Sequence, residues 1–227
     1  MSVILYPNTE SLSVSSPEYN EISNLVLDSY PKACICMIDK IISPHVKERY
    51  HEFKKVNPTF KEYTVYHGTK RTNVQSIINH GFVLEAAKVC AYGHGIYFAR
   101  DFSLSWGYTD IQETNDDPMS YIFICKILPG PLCIGTYNSK APSGFSQGNS
   151  ASTDTATIFS IPHSNQMLPE YLVRFHKNSE KMNHFVSEKA PAFNISKPTK
   201  FPISSLFRQL EAKAKKNSKK NGGSPST

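Results

Sequence analysis

The stretch that decides the fold is Gly93-His94-Gly95-Ile96-Tyr97-Phe98-Ala99. Its two glycines permit a tight turn, because glycine adopts backbone conformations that other residues avoid. The four residues after the second glycine are apolar or aromatic and indicate a β-strand. The pattern is not a dinucleotide-binding fingerprint, since the third glycine and the strand-to-helix context are missing. Taken alone, it predicts a sharp turn into a strand and no particular activity.

A second glycine-containing stretch, Tyr66-His67-Gly68-Thr69, lies upstream and follows a β-type segment that begins at Thr64. A histidine between a strand and a glycine is often a turn residue whose ring nitrogens are satisfied locally. When either stretch is considered by itself, this structural interpretation and a functional one both stay open.

Short helical and β-type segments alternate along the chain around these two stretches. Helical spacing of apolar residues, with start signals at Pro17 and Ser43-Pro44, favours helices over 17–29 and 44–56, and a third is predicted over 72–79. The apolar positions behind the first two helices are Ile22, Leu25, Val26 and Tyr30, and then Val46, Tyr50 and Phe53. Strands are predicted over 33–38, 64–66, 121–125, 157–161 and 171–175.

Four spaced motifs together resemble the catalytic domain of the poly(ADP-ribose) polymerase family. They are His67-Gly68-Thr69, the Gly93–Ala99 stretch, Ser105-x-x-Tyr108 and Pro169-Glu170-Tyr171-Leu172, in the order that the family has. The resemblance covers roughly residues 38–176. It implies an α+β fold in which a split, mostly antiparallel sheet and its surrounding helices enclose a cleft for NAD⁺, the ADP-ribosyltransferase fold.

The resemblance also implies roles for individual residues in binding NAD⁺ as co-substrate. His67 is expected to hold a ribose hydroxyl, and the main chain of Gly68 to pair with the nicotinamide carboxamide. A glycine at this position leaves room for close approach. Tyr97 and Tyr108 are expected to form the two walls of a nicotinamide slot with a polar end. The full NAD⁺-binding set implied is His67, Gly68, Thr69, Tyr92, Tyr97, Ser105 and Tyr108.

The sequence departs from the family at the third member of its His-Tyr-Glu catalytic triad. Counting back eight positions from Gln166 places Ile158 where the family has glutamate, so the implied triad is His67, Tyr97 and Ile158. Glu170 belongs to a segment that the family carries in addition to that glutamate, and a structural role is expected for it. Without a carboxylate to activate a ribose hydroxyl, chain extension is not expected.

The resemblance therefore implies a mono-ADP-ribosyltransferase, a glycosyltransferase that moves one ADP-ribose unit to a protein side chain. Acidic acceptors are the default expectation, and the Ser-, Gly- and Thr-rich segment 135–156 is expected to be a loop that influences acceptor choice. Val83-Leu84 replaces the polar or basic side chains that many members have near the adenosine. This departure and Ile158 favour the alternative, a catalytically inactive module that binds NAD⁺ or ADP-ribose.

Length and charge favour one domain, residues 1–200, followed by a basic tail, residues 201–227. Of the formal net charge of +6, the tail carries +5, so any nucleic-acid binding is expected only through the tail. The basic run at 213–220 is a weak nuclear-import signal, and an intracellular monomer, cytoplasmic or nuclear, is expected. No apolar stretch is long enough to span a membrane, and no secretory signal is evident.

Five cysteines occur without Cys-x-x-Cys spacing, at positions 34, 36, 90, 125 and 133. An odd number of cysteines without a paired pattern favours reduced thiols, which we expect to be mostly buried. No cluster of histidine and cysteine offers the ligands of a zinc site, so no metal is expected.

Overall fold

A computed structural model describes residues 5–31, 33–87, 92–109, 119–135, 150–153 and 155–176. Several sequence-based expectations therefore lie outside the described residues. They are Cys90, most of the 135–156 segment, the C-terminal part of the predicted domain from residue 177 and the entire basic tail, 201–227.

The described residues form nine strands and four helices. The helices are α1 (Pro17–Ser29), α2 (Pro44–Val56), α3 (Arg71–His80) and α4 (Phe102–Trp106). The strands are β1 (Thr9–Ser11), β2 (Cys34–Ile41), β3 (Tyr63–Thr69), β4 (Ile96–Ala99), β5 (Met119–Ile127), β6 (Leu132–Ile134), β7 (Ser150–Ser152), β8 (Ile158–Ile161) and β9 (Met167–His176).

The three predicted helices are confirmed, and their starts follow from local chemistry. At α1 the Ser16 hydroxyl accepts a hydrogen bond from the Tyr19 main-chain N–H at 3.1 Å, which satisfies a donor that has no partner within the helix. Ile22 and Val26 are buried on the inner face of α1. The expectation that Leu25 shares this face was wrong, because its side chain is exposed. Helix α3 ends at Gly81, whose φ of 73° favours glycine.

The sheet is mostly antiparallel and is divided between β3 and β4. Its strand order is β1-β2-β9-β5-β3-β4-β8-β7-β6, and only the β6–β7 pair is parallel among the described strands. Strand β3 pairs with β5 over its whole length, from Tyr63 to Thr69. It pairs with β4 at a single position, Tyr66 opposite Ala99. The split α+β sheet expected from the resemblance is therefore present.

Strand β9 is longer than the predicted 171–175 segment and contains a proline. It starts at Met167 and pairs with β5, where the register shifts between the Cys125–Pro169 and Ile124–Tyr171 pairs. Proline lacks the N–H that a regular ladder requires, and a bulge accommodates it. The sequence pattern missed this extension because Pro169 reads as a strand boundary.

The two faces of the sheet bury separate apolar clusters. Side chains that directly oppose each other in paired strands share a face, and neighbours along a strand alternate. Val65, Phe98, Phe123 and Phe159 lie on one face, beneath α3. The opposite face carries Tyr66, Ile122, Ile124 and Val173, beneath α1 and Phe102 of α4. The predicted core face of α2 is confirmed for Val46 and Tyr50, with Phe53 packed against them.

A buried ion pair joins β2 to β9. Nε of Arg174 donates to Oδ2 of Asp39 at 2.8 Å, and a second guanidinium nitrogen contacts the same oxygen at 2.5 Å. The hydroxyl of Ser11 on β1 donates to the other carboxylate oxygen at 2.5 Å. Both charged side chains are shielded from solvent, so each depends on the other for compensation.

The cysteines within the described residues are less buried than predicted. Cys125 is buried, whereas Cys34, Cys36 and Cys133 are partly exposed. Strand β2 lies second from one edge of the sheet and β6 at the other edge, so neither strand is covered on all sides. Across the described ranges, no helix is long and apolar enough to cross a membrane.

Candidate active site

The candidate site lies where the sheet divides. Beyond the Tyr66–Ala99 pair, β3 continues through His67 and Gly68 without pairing to β4. The short helix α4 follows β4 and packs beside this part of β3. The fold thus creates a gap whose two sides carry the residues that the sequence singled out.

His67 bridges the gap through its ring. Its Nδ1 lies 2.8 Å from the main-chain carbonyl oxygen of Tyr97. A carbonyl can only accept, so Nδ1 carries the proton and the other ring nitrogen, Nε2, is an acceptor suited to a ligand hydroxyl. The ring packs against Phe82 and Phe98, with centroids 4.9 and 5.5 Å away.

The environment of His67 holds its imidazole in the neutral form. Burial lowers its pKa from 6.5 to about 4, although the hydrogen bond to Tyr97 favours the charged form. At neutral pH the ring is therefore an uncharged, oriented acceptor. That is the state required to receive a hydrogen bond from a ribose hydroxyl.

Neighbouring residues leave no room for a side chain at position 68. A Cβ atom at this position would lie 1.9 Å from the main-chain oxygen of Ser105 and 3.3 Å from Cβ of Tyr108. The resemblance explains this glycine by the close approach of a ligand. The structure adds a second reason, because α4 itself approaches the strand too closely for any side chain.

Ser105 and Tyr108 flank Gly68 in different states of exposure. Ser105 is buried, and its hydroxyl donates to the main-chain oxygen of Tyr66 at 2.9 Å. In this orientation the Ser105 oxygen can accept a hydrogen bond from a ligand N–H. To donate to a ligand, the hydroxyl would have to rotate away from the Tyr66 oxygen. Tyr108 is 50% exposed, although aromatic side chains are usually covered. An exposed ring beside buried polar groups suits a surface on which a planar ligand stacks.

Tyr97 fastens a turn through its hydroxyl. The hydroxyl accepts from the main-chain N–H of Tyr92 at 2.8 Å and donates to the carbonyl of Gly93 at 2.5 Å. Gly93 has a φ of 119°, which explains why this position is glycine. The sequence carries no signal for these contacts, because the identity of Tyr97 does not reveal the partners of its hydroxyl.

Ile158 begins β8, directly opposite Ala99 of β4. Because Tyr97 lies two residues before Ala99, the side chains of Ile158 and Tyr97 share a face of the sheet. His67 belongs to the opposite face, with Phe98. The three positions of the implied triad therefore lie on three neighbouring strands, and β4 separates Ile158 on β8 from His67 on β3. Ile158 is 6% exposed, and its N–H donates to the Thr153 hydroxyl at 3.3 Å.

Two other singled-out residues have structural contacts. The hydroxyl of Thr69 accepts from the Asn73 side chain at 3.2 Å, which anchors the first turn of α3. Glu170 lies on β9, which β5 separates from β3, so it belongs to another part of the sheet. Burial raises the pKa of Glu170, with Lys126 nearby opposing the shift. The structural role expected for Glu170 stays a prediction.

The segment after α3 has the apolar character noted in the sequence. Phe82 is buried against His67, whereas Val83 is 40% exposed just before a single turn of 3-10 helix, Leu84–Ala86. Residues 88–91, between this turn and Tyr92, are outside the described residues. No group of three or more potential metal ligands occurs within the described residues.

Comparison with known proteins places this arrangement in a family. The sequence profile of the poly(ADP-ribose) polymerase catalytic domain matches residues 16–157. The match covers more than half of the chain and includes α1 through the residue before β8. The chain belongs to the poly(ADP-ribose) polymerase catalytic-domain family.

Several relatives carry a more specific description. Protein mono-ADP-ribosyltransferase PARP12 of Mus musculus is 27% identical in an alignment of 188 positions, which covers 75% of this chain and 26% of that protein. PARP10 of Mus musculus, also a protein mono-ADP-ribosyltransferase, is 26% identical over 72% of this chain and 19% of its own length. PARP11 of Homo sapiens, described likewise, is 27% identical over 70% of this chain and 56% of its own. The chain thus spans about a quarter of the first of these relatives.

Proposed function

We propose that this chain is an NAD⁺-dependent protein mono-ADP-ribosyltransferase. The reaction breaks the bond between nicotinamide and C1′ of the adjacent ribose, and a side-chain atom of the acceptor protein forms a new bond to C1′. Nicotinamide leaves with the electron pair of the broken bond. Each turnover adds one ADP-ribose unit to the acceptor.

The observation that carries this proposal is the bond from His67 Nδ1 to the Tyr97 carbonyl, at 2.8 Å across the divided sheet. It leaves Nε2 as an acceptor at the gap. The main chain of Gly68 and the exposed ring of Tyr108 are near this part of β3. These three positions suit the three groups of NAD⁺ nearest to the bond that breaks. A ribose hydroxyl would donate to Nε2 of His67, the carboxamide would pair with Gly68, and the pyridine ring would stack on Tyr108.

The chemistry at C1′ determines what the site has to provide. Departure of nicotinamide leaves positive charge on C1′ and the ring oxygen, as in glycoside hydrolysis. An aromatic slot that fixes the nicotinamide ring lowers the barrier by orientation. Ile158 offers no charge at the third triad position. We propose that a carboxylate of the acceptor protein stabilises the positive charge on C1′ and then attacks that atom.

The absence of a side-chain carboxylate at Ile158 also supports transfer of a single unit. Chain extension requires a ribose hydroxyl of bound ADP-ribose to act as nucleophile, and a hydroxyl is a poor nucleophile without a base. A protein carboxylate is ionised at neutral pH and needs no base. The first transfer therefore proceeds where extension does not.

The proposal is tested by incubating the purified chain with labelled NAD⁺ and a cell lysate, and then mapping modified peptides by mass. His67→Ala and Tyr97→Ala run as matched controls. Single units on acidic side chains, absent from both controls, support the proposal. Modification confined to other side-chain types would overturn the acidic acceptor but leave mono-transfer intact.

A second function, binding NAD⁺ or ADP-ribose without transfer, is favoured by Ile158 and by the exposed apolar Val83. The two functions separate when NAD⁺ binding and nicotinamide release are measured on the same sample. NAD⁺ binding without any nicotinamide release would establish the binding module and exclude the transferase.

We also propose an intracellular setting, cytoplasmic or nuclear, in which the protein acts as a monomer. An odd number of cysteines without a paired spacing supports a reducing compartment. Deleting residues 205–227 and comparing both the location of a fluorescent fusion and nucleic-acid binding at several salt concentrations tests what the basic tail adds. Unchanged location and binding would remove the tail from this proposal.

A further inference from the structure

A serine on β8 contacts the same turn that Tyr97 fastens. Ser160 is 3% exposed, and its hydroxyl donates to the carbonyl of Gly93 at 3.2 Å. Tyr97 donates to that carbonyl as well, at 2.5 Å. One carbonyl thus accepts from two side chains, which come from neighbouring strands.

The register of β4 and β8 makes this shared contact precise. Tyr97 and Ser160 are directly paired, so their side chains leave the same face of the sheet side by side. Gly95 leaves the space that the contact requires, because a Cβ there would lie 2.5 Å from the Ser160 hydroxyl oxygen. Because Gly95 has no side chain, the turn approaches both the Ser160 hydroxyl and the main chain of Ile161.

The two hydrogen bonds use both lone pairs of the Gly93 oxygen. A carbonyl held from two directions has little freedom to rotate. The Tyr97 hydroxyl is therefore directed toward a fixed acceptor, and it is also held by the main-chain N–H of Tyr92 at 2.8 Å. The orientation of the Tyr97 ring follows from the position of its hydroxyl.

We propose that Ser160 is a positioning residue, which holds the Gly93 carbonyl so that the Tyr97 ring is fixed as one wall of the nicotinamide slot. Ser160 touches no part of the substrate in this account and acts through Gly93 and Tyr97. This inference rests on the proposed function, since it concerns the slot that binds NAD⁺.

A double-mutant cycle on the full chain tests the inference. The variants are Ser160→Ala, Tyr97→Phe and the pair together, with NAD⁺ affinity measured by calorimetry and nicotinamide release measured in parallel. Ser120→Ala is the matched control, because Ser120 is a buried strand serine on β5. Thermal melting of every variant reports any loss of the fold. Should Ser160→Ala prove too unstable, Ser160→Cys replaces it, because a thiol fills the space of the hydroxyl and donates only weakly.

Ser160→Ala is expected to weaken NAD⁺ binding about fivefold, the usual effect of losing one neutral hydrogen bond. In the Tyr97→Phe background the same change is expected to alter affinity less than twofold, because the link to the ring is already broken. Ser120→Ala leaves affinity unchanged. A purely structural Ser160 would instead give equal losses in both backgrounds, and that result would overturn the inference, as would wild-type affinity in Ser160→Ala.

Failure of the proposed function gives a different signature. A wild-type chain that binds no NAD⁺ removes both the transferase and this inference. A wild-type chain that binds NAD⁺ without releasing nicotinamide removes the transferase alone, since the affinity cycle can still be completed. Normal transfer with additive effects in the cycle removes only the role of Ser160.

Discussion

Nδ1 of His67 donates a hydrogen bond to the main-chain oxygen of Tyr97 at 2.8 Å, across the division between β3 and β4. The bond fixes the tautomer of the imidazole and joins two strands that otherwise share a single residue pair. The same contact therefore contributes to the fold and prepares Nε2 as an acceptor for substrate.

The first prediction concerns the pH dependence of NAD⁺ binding. The pKa of His67 is lowered to about 4 because the ring is buried. We expect NAD⁺ affinity to be constant from pH 8 to about pH 5.5 and to fall as the pH approaches 4, where Nε2 becomes protonated and can no longer accept. Calorimetric titrations at half-unit pH intervals measure this. A midpoint near 6.5 would contradict the buried, neutral imidazole.

The same pKa difference has a consequence for stability, with a definite sign. The pKa of His67 is lower in the folded than in the unfolded state. Its contribution to stability is therefore complete above about pH 6.5, where the ring is neutral in both states. Between about 6.5 and 4 only the unfolded state gains a proton, so stability falls by up to about 1.4 kcal/mol for each pH unit. His67→Asn should flatten this part of the pH profile, which denaturant unfolding at each pH measures.

The second prediction concerns Gly68. We expect Gly68→Ala to destabilise the fold and to abolish measurable NAD⁺ binding, because the new methyl group would lie 1.9 Å from the Ser105 oxygen and push α4 away from β3. Gly130→Ala is the matched control, since a Cβ there meets Phe60 at 2.5 Å but in the turn between β5 and β6. The control should lower the melting temperature and spare affinity. Normal affinity in Gly68→Ala would refute the packing argument.

The third prediction separates the structural contribution of Ile158 from chemistry. Ile158→Ala removes a buried side chain and should cost about 2–4 kcal/mol of stability. Since the side chain carries no charge, we expect kcat, measured well below the melting temperature, to stay within about threefold of the wild type. Ile161→Ala, which removes another buried side chain of the same strand, provides the comparison for stability. A loss of a hundredfold in kcat for Ile158→Ala alone would assign Ile158 a direct role in the slot.

The fourth prediction concerns the buried ion pair between Asp39 and Arg174. Asp39→Ala leaves the guanidinium buried without its counter-charge, and we expect a loss of about 3–5 kcal/mol in the free energy of unfolding. Replacing both residues, as Asp39→Leu with Arg174→Met, should restore part of that loss. Urea unfolding of the single and double variants measures it. A double variant less stable than Asp39→Ala would show that the pair contributes more than mutual compensation.

Local patterns predicted much of the fold because they depend on neighbouring residues. Three helices were placed within a residue or two of their observed ends. The signals were the prolines that begin two of them, Pro17 and Pro44, and the glycine that ends the third, Gly81. The short strands β6 and β7 were not predicted. They have three residues each and depend on pairing between distant segments, which leaves little local pattern.

For the candidate site, the sequence indicated which residues to examine but not how they are connected. His67 and Tyr97 were singled out through the resemblance, yet the hydrogen bond that joins them runs from a side chain to a main-chain atom, and no motif records such a contact. Ser160 carried no signal at all. Its role depends on direct pairing with Tyr97, which only the register of β4 and β8 reveals.

The most direct test of the account is the number of ADP-ribose units on each modified side chain after the purified chain reacts with NAD⁺ and acceptor protein. Intact-peptide mass spectrometry measures it, beside His67→Ala and Tyr97→Ala. We predict one unit per site with the wild type and none with either variant. Chains of several units would contradict the assignment of Ile158 to the third triad position, and NAD⁺ binding without any transfer would contradict the transferase itself.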